Sequence, residues 1–268
     1  MDSETVGVPL SHDTTLQWRV SAEVDDIPGV FVVDTGADFT VVTPQLAQQL
    51  AEHNRGGNDQ TVSRRFHGSR VDFARIGSFR IGGAVYAGFY APVVNLDHIS
   101  RAMRVRVDGI LGNNVLNKTA YEIDWKRDLL TLRSRSSEPP ADAIPVSIRE
   151  NRVYLKAWIN GCEAEFALDT GAYRSTLAGQ ELSRLNIAPE KQTEIDAPKI
   201  DIHGAERGKQ IQASLENFEV GPLRLTNYSI IVWENNALGM DLLSSRVLCV
   251  DARRGWMSLE MPKDGNSE

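Results

Sequence analysis

The chain has 268 residues, with 29 lysines and arginines against 36 aspartates and glutamates, for a formal charge of −7. Apolar residues make up 41 % and charged residues 24 %, the balance of an ordinary globular protein and not of a disordered one. An acidic chain repels phosphate, so no nucleic-acid partner is expected, and no apolar run approaches the roughly 20 residues of a membrane-spanning helix.

Residues 1–10 contain neither a basic stretch nor the apolar stretch of an export signal. The compartment stays open: cytoplasmic as written, or periplasmic or secreted if a leader was removed. Residues 16–24 alternate apolar and polar side chains, as a half-buried strand does, and residues 30–33 are a short apolar run ending at Asp34. Thr43 followed by Pro44 reads as the N-cap and first position of a helix over residues 44–52. Strands are expected at 75–81 and 85–94, bounded by glycines. Residues 101–106 hold Arg101, Arg104 and Arg106 and read as a solvated loop that could favour an acidic substrate side chain. Residues 133–142 are polar and proline-bearing, as a linker is. Alternation returns at 153–159, Asn160-Gly161 marks a hairpin turn, and 165–168 is an apolar run ending at Asp169. A second helix is expected at 178–185, and strands at 215–220 and 225–232. Many closely spaced strands and few helices argue for an all-β fold.

The elements occur twice. Val8-Pro9-Leu10 returns as Ile144-Pro145-Val146, and Val32-Val33-Asp34-Thr35-Gly36-Ala37 returns as Ala167-Leu168-Asp169-Thr170-Gly171-Ala172. His67-Gly68 returns as His203-Gly204, and Ser78-Phe79-Arg80-Ile81-Gly82 loosely as Asn217-Phe218-Glu219-Val220-Gly221. Leu111-Gly112 with Val115-Leu116 returns as Leu238-Gly239 with Leu242-Leu243, and Ile123-Asp124 with Lys126-Arg127 as Val250-Asp251 with Arg253-Arg254. The order is the same, and the offset drifts only between about 127 and 139 residues, which small loop insertions supply. Six pairs in register describe two homologous lobes, roughly 1–136 and 141–268.

One Asp-Thr-Gly by itself is a surface turn, since all three residues favour turns. Two copies in equivalent places are different, because related lobes can bring both turns to one axis with the carboxylates facing. Here the chain resembles the aspartic proteases. Asp34-Thr35-Gly36-Ala37-Asp38-Phe39-Thr40-Val41-Val42 is similar to the retroviral branch, the retropepsins, which place Ala after the Gly. Ile110-Leu111-Gly112 with Asn114-Val115-Leu116, and Ala237-Leu238-Gly239 with Leu242-Leu243, resemble the family's second signature. The resemblance spans both lobes and implies a fused pair of retropepsin-like units in one chain, related by a pseudo-two-fold axis with a central cleft.

That resemblance implies an endopeptidase acting on a polypeptide substrate, with Asp34 and Asp169 as the catalytic dyad. Two carboxylates in contact cannot both ionise, so they share a proton, activate a water and need no covalent intermediate, metal or cofactor. It implies that the Thr35 and Thr170 hydroxyls bond across the axis. Gly36 and Gly171 lack a Cβ and let backbone N–H groups approach the carboxylates. Ala37 and Ala172 replace the serine of pepsin-like enzymes, which removes a donor to the ionised form and implies a less acidic activity range than pepsin's. Gly112 and Gly239 let an apolar strand pass tightly behind each Asp loop. A hairpin cover is implied in 61–75, around His67, Gly68 and Ser69, and in 197–212, around His203, Gly204 and Ala205; one cover or two are both compatible. In retropepsins the acid at the Asp38 position helps to bind substrate backbone and pairs with an Arg directly after the second-signature Gly. Lobe two has Tyr173 at the equivalent of Asp38, and the two Arg positions are Asn113 and Met240. Both halves of the site lie in one chain, so a monomer suffices.

Competing chemistries find little support. His12, His53, His67, His98 and His203 show no metal-ligand spacing, and no Gly-x-Ser-x-Gly elbow occurs. Two cysteines are too few for a disulfide scaffold or a four-thiolate zinc site; Cys162 reads as a turn thiol and Cys249 as a core thiol. The alternative to an enzyme is a protease-like peptide-binding or regulatory protein that kept the fold and lost turnover.

Overall fold

The computed structural model describes residues 5–12, 17–53, 61–66, 69–135, 138–201 and 204–262. The first half runs β1 (Thr5–Ser11), β2 (Arg19–Val24), β3 (Ile27–Val33), β4 (Val41–Val42), α1 (Pro44–His53), β5 (Thr61–Phe66), β6 (Ser69–Ile81), β7 (Ala84–Pro92), α2 (Asp97–Met103), β8 (Gly109–Leu111), α3 (Asn113–Leu116), β9 (Ala120–Asp124) and β10 (Leu129–Arg133). The second runs β11 (Ile144–Arg149), β12 (Arg152–Ile159), β13 (Cys162–Leu168), β14 (Thr176–Ala178), β15 (Gln192–Asp201), β16 (Gly204–Val220), β17 (Leu223–Trp233), β18 (Ala237–Leu238), α4 (Met240–Leu243), β19 (Val247–Asp251) and β20 (Trp256–Glu260). The fold is all-β with two lobes, and no helix among the described residues is long and apolar enough to cross a membrane.

The strands that carry the aspartates are apolar without alternation, and pairing explains why. β3 runs parallel to β8 through Phe31↔Gly109, Val32↔Ile110 and Val33↔Leu111, and β13 parallel to β18 through Ala167↔Ala237 and Leu168↔Leu238. A strand in the middle of a lobe buries both faces, so Phe31, Val32 and Val33 are all inside. Equivalent edge-to-face aromatic pairs fill each lobe: Phe31 with Phe79 at 5.0 Å between ring centres, and Phe166 with Phe218 at 5.7 Å.

The halves also share a sheet. β1, β10, β9, β19, β20 and β11 are antiparallel neighbours in that order. At its centre Tyr121 faces Val250 and Ile123 faces Leu248, which are the same pair under the repeat, and Glu122 faces Cys249 on the axis. β1 leaves this sheet after Pro9, so that Leu10 and Ser11 pair with β2; β11 leaves it after Pro145, so that Val146 onward pairs with β12. The two prolines lack an N–H and stand where the strand changes partner, which suits them. The repeated Asp124 and Asp251 are turn residues: Asp124 Oδ1 accepts the N–H groups of Lys126 and Arg127 at 3.1 Å, and Asp251 Oδ1 accepts that of Arg254 at 3.2 Å.

The helix expected at 44–52 forms as α1, with Thr43 Oγ1 accepting the Leu46 N–H at 3.3 Å and Leu46 and Leu50 buried. The helix expected at 178–185 does not form. Ala178 closes β14, its N–H held by Asn236 Oδ1 at 2.7 Å, and only Gly179–Glu181 makes a single 3-10 turn. The arginine-rich loop is in part a helix: α2 carries Arg101, because Leu96, Ile99 and Met103 recur at helical spacing and pack inward. Asn160 and Gly161 both take positive φ, 50° and 80°, and form the turn between β12 and β13.

Candidate active site

Each Asp-Thr-Gly begins where a parallel strand pair ends. The Asp34 N–H donates to Leu111 O at 3.1 Å and the Asp169 N–H to Leu238 O at 3.0 Å. The threonines then cross between the lobes. Thr35 Oγ1 donates to Leu168 O at 3.1 Å and accepts the Thr170 N–H at 2.9 Å. Thr170 Oγ1 donates to Val33 O at 2.9 Å and accepts the Thr35 N–H at 3.0 Å. Both side chains are fully buried, so water offers no alternative partner.

This crossing brings the Asp34 and Asp169 carboxyls together, each against the other lobe's glycine and close enough to act on the other's ionisation. The Gly36 N–H donates to Asp34 Oδ1 at 2.7 Å; the Gly171 and Ala172 N–H groups donate to Asp169 Oδ1 at 2.9 and 3.0 Å. A Cβ on Gly36 would lie 2.4 Å from the Asp169 carboxyl, and one on Gly171 2.5 Å from that of Asp34. Each glycine therefore faces the opposite lobe's aspartate, and only hydrogen fits. The carboxyls lie deep among protein atoms while each aspartate keeps part of its surface accessible. Burial pushes the Asp34 carboxyl up to about 7, with the Asp169 charge adding to it, against the Gly36 and Ala37 N–H groups and the Arg152 charge. Burial also raises Asp169, opposed by the Ala172 and Gly171 N–H groups, Arg152 and the bond to Asp34. The pair as a whole binds a proton at a pH where lone carboxyls have lost theirs.

Behind each loop the second signature closes in. A Cβ on Gly112 would lie 2.5 Å from the Phe39 backbone, and one on Gly239 2.4 Å from that of Arg174. In lobe one the Thr40 N–H donates to Asn114 Oδ1 at 2.6 Å. Lobe two replaces this pair by Ser175 and Asp241: the Ser175 N–H and Oγ donate to Asp241 Oδ1 at 2.8 and 2.9 Å, and Tyr228 OH donates to Asp241 Oδ2 at 2.9 Å. Sequence reasoning quoted Thr40 and Asn114 within the motifs but did not pair them, and it gave Ser175, Asp241 and Tyr228 no role. The signal was their shared spacing from the Asp and from the second-signature Gly.

The lobes differ beside the dyad. Asp38 is buried and forms an ion pair with Arg152 of the other lobe, Nε to Oδ1 2.6 Å. The arginine that the resemblance puts after Gly112 is Asn113, whose Nδ2 instead donates to Thr35 O at 2.6 Å. Tyr173, at the equivalent of Asp38, is exposed. Gln17 stands as far before Asp34 as Arg152 does before Asp169, and its Nε2 donates to Gly171 O at 2.7 Å.

In each lobe a hairpin falls where a cover is expected, β5 with β6 and β15 with β16. Ser69 opens β6, and Gly204 and Ala205 open β16, while His67, Gly68 and His203 lie outside the described residues. The Cys249 thiol is pushed up to about 12 by burial and by the Glu122 and Glu260 charges, which makes it a poor nucleophile. Among the described residues no group of three His, Cys, Asp or Glu is placed to hold a metal ion.

Residues 20–115 match the family model described as aspartyl protease, and residues 155–245 match that described as gag-polyprotein putative aspartyl protease. No curated protein matches the chain. The two matched segments each contain one Asp-Thr-Gly-Ala and one second signature.

Two outcomes follow for stability. Thr35→Val strands the buried Thr170 N–H and Leu168 carbonyl, and lowers the unfolding free energy in denaturant titrations by roughly 2–4 kcal/mol; Thr35→Ser, which keeps the hydroxyl, stays within about 1 kcal/mol of wild type. The raised Asp34 carboxyl means that the fold disfavours its ionised form. That cost is absent below the unfolded value of 3.8 and complete above about 7. Asp34→Asn removes it, so thermal melts show a rise of roughly 3 °C over wild type at pH 8 and no gain at about pH 3.5.

Proposed function

We propose that this chain, which belongs to the aspartic protease superfamily through both of its halves, is a single-chain aspartic endopeptidase with Asp34 and Asp169 as its dyad. The observation that carries the reading is the dyad geometry: two carboxyl groups from different lobes, each against the other lobe's glycine and held together by the Thr35–Thr170 crossing. Lobes 1–136 and 141–268 each supply half of the site, so one chain is sufficient.

The chemistry follows from one shared proton. The ionised carboxylate takes a proton from a water held between the pair, and the water oxygen attacks the carbonyl carbon of the scissile bond. The protonated partner donates to the carbonyl oxygen, giving a neutral gem-diol. A carboxyl then protonates the amide nitrogen, the C–N bond breaks, and the other carboxylate takes the diol proton, which leaves an acid, an amine and the dyad in its starting charge. Ala37 and Ala172 place no hydroxyl beside the carboxyls, and burial favours the singly protonated pair. We assign β5–β6 and β15–β16 as two covers, one per lobe, that close over the peptide and exclude water.

The test is cleavage of a peptide library from about pH 3 to pH 8, read by mass spectrometry, with Asp34→Asn and Asp169→Asn proteins alongside. Cleavage by wild type falls at least about 10³-fold in either variant, because each carboxyl does half of one proton-transfer unit. Near-normal turnover in one variant overturns the shared dyad, and no cleavage at any pH supports a silent peptide-binding protein. The alkaline limb of kcat/KM lies near pH 7, where Asp34 loses its proton. Replacing Arg152 by Gln together with Asp38 by Asn removes a cation that lowers both carboxyls without stranding a buried charge. That limb then moves to higher pH, measured on the same substrate.

A further inference from the structure

The lobes differ most in the step that leads to the second signature. In lobe two the chain passes from β17 to β18 over residues 234–236; in lobe one the same step takes residues 93–108 and builds α2. This insertion packs against the site. Its apolar side, Leu96, Ile99 and Met103, joins Val32 and Ile110 in one small core, and Ala37, the residue after Asp34-Thr35-Gly36, rests on that core. α2 also touches β16, a strand of the opposite lobe's long hairpin. A helix in contact with its own lobe's dyad loop and with the other lobe's hairpin strand stands at the rim of the space between the lobes, on one side only.

Its outer face is basic. Asp97, Ser100, Arg101 and Arg104, at helical spacing, line with Val105 and Arg106 an open depression of about 430 Å³. Arg106 is committed to Asp108, with Nε 2.6 Å from Oδ1, and Asp108 in turn holds the Val30 N–H at 3.0 Å. Asp97 takes the Asn95 amide at 3.2 Å. Arg101 and Arg104 are exposed and, among the described residues, sit in no ion pair. In a chain of net charge −7 this patch has the opposite sign to the chain as a whole, and two planar guanidinium forks match a carboxylate.

We propose that α2 is a one-sided selectivity wall, and that Arg101 and Arg104 receive an acidic side chain of the polypeptide bound between the lobes. This deepens the endopeptidase reading and rests on it. The dyad is close to two-fold symmetric and by itself accepts a peptide in either direction. A wall in one lobe only reads one end of the peptide, and so sets the direction in which it lies.

The test compares peptide pairs that differ by Glu or Gln at single positions on both sides of the cut. For wild type, Glu is favoured in kcat/KM by about fivefold at a position on one side of the scissile bond, and the preference shrinks in about 0.5 M salt. In the Arg101→Gln, Arg104→Gln double variant the ratio falls to about one. Equal use of Glu and Gln everywhere, or a preference that survives in the variant, overturns the wall and leaves the protease reading standing. A second arm uses protein carrying both Asp34→Asn and Asp169→Asn, and measures binding of fluorescein-labelled Glu and Gln peptides by anisotropy. Selective binding that vanishes with the two arginines keeps the wall, and if wild type then cuts no peptide at any pH the protease reading alone fails. Equal binding of both peptides overturns the wall without reference to turnover.

Discussion

Everything at this site depends on holding two acids together. Asp34 and Asp169 come from different lobes, and like charges at contact drive their backbones apart unless something rigid opposes it. The opposing element is the Thr35–Thr170 crossing, in which each hydroxyl donates to a carbonyl and accepts an N–H of the other lobe. Because both threonines are buried, breaking the crossing leaves backbone groups with no water to turn to. The rest follows in sequence. The loops meet closely enough that only glycine fits at 36 and 171, the carboxyls lose solvent, and the pair keeps a proton.

The lobes are joined at a second level by the sheet in which β9 and β19 lie across the axis. Its register is self-complementary, with Tyr121 opposite Val250 and Ile123 opposite Leu248. The symmetry that brings the two acids to one place is thus written into backbone pairing distant from them in sequence. The repeats do not all serve chemistry. Asp124 and Asp251 shape hairpin turns, Phe31 with Phe79 and Phe166 with Phe218 fill cores, and the first pair of prolines marks where strands change sheets.

Around this near-symmetric frame the two halves have diverged by charge. Lobe one keeps an acid at Asp38 and borrows its counter-ion from lobe two, Arg152; the opposite side has Tyr173 and Gln17. Lobe one backs its loop with the neutral Thr40–Asn114 pair, lobe two with Ser175, Asp241 and Tyr228. Lobe one alone carries α2. A fused chain permits this, since each half can change without its partner changing too. A site made from two identical subunits has no such freedom.

What the residues by themselves determined was whatever is local or repeated. Alternating and apolar runs marked strands, Thr43-Pro44 marked α1, Asn160-Gly161 marked a turn, and the doubled Asp-Thr-Gly-Ala marked the two loops that meet between the lobes. These signals are legible because they arise from a residue's own backbone preference or from counting down the chain. Residues 178–185 show the limit: their helical pattern lost to β14, whose extended backbone is held by Asn236 and by pairing with β17, partners 55 to 58 residues away. α2 went unread because its three inward residues are few and its arginines dominate the local pattern. The Asp38–Arg152 pair and the shared sheet have no local signature at all. Only the tertiary structure decided them, because an ion pair or a strand partner is a property of two distant segments and of the burial that makes their charges and hydrogen bonds matter.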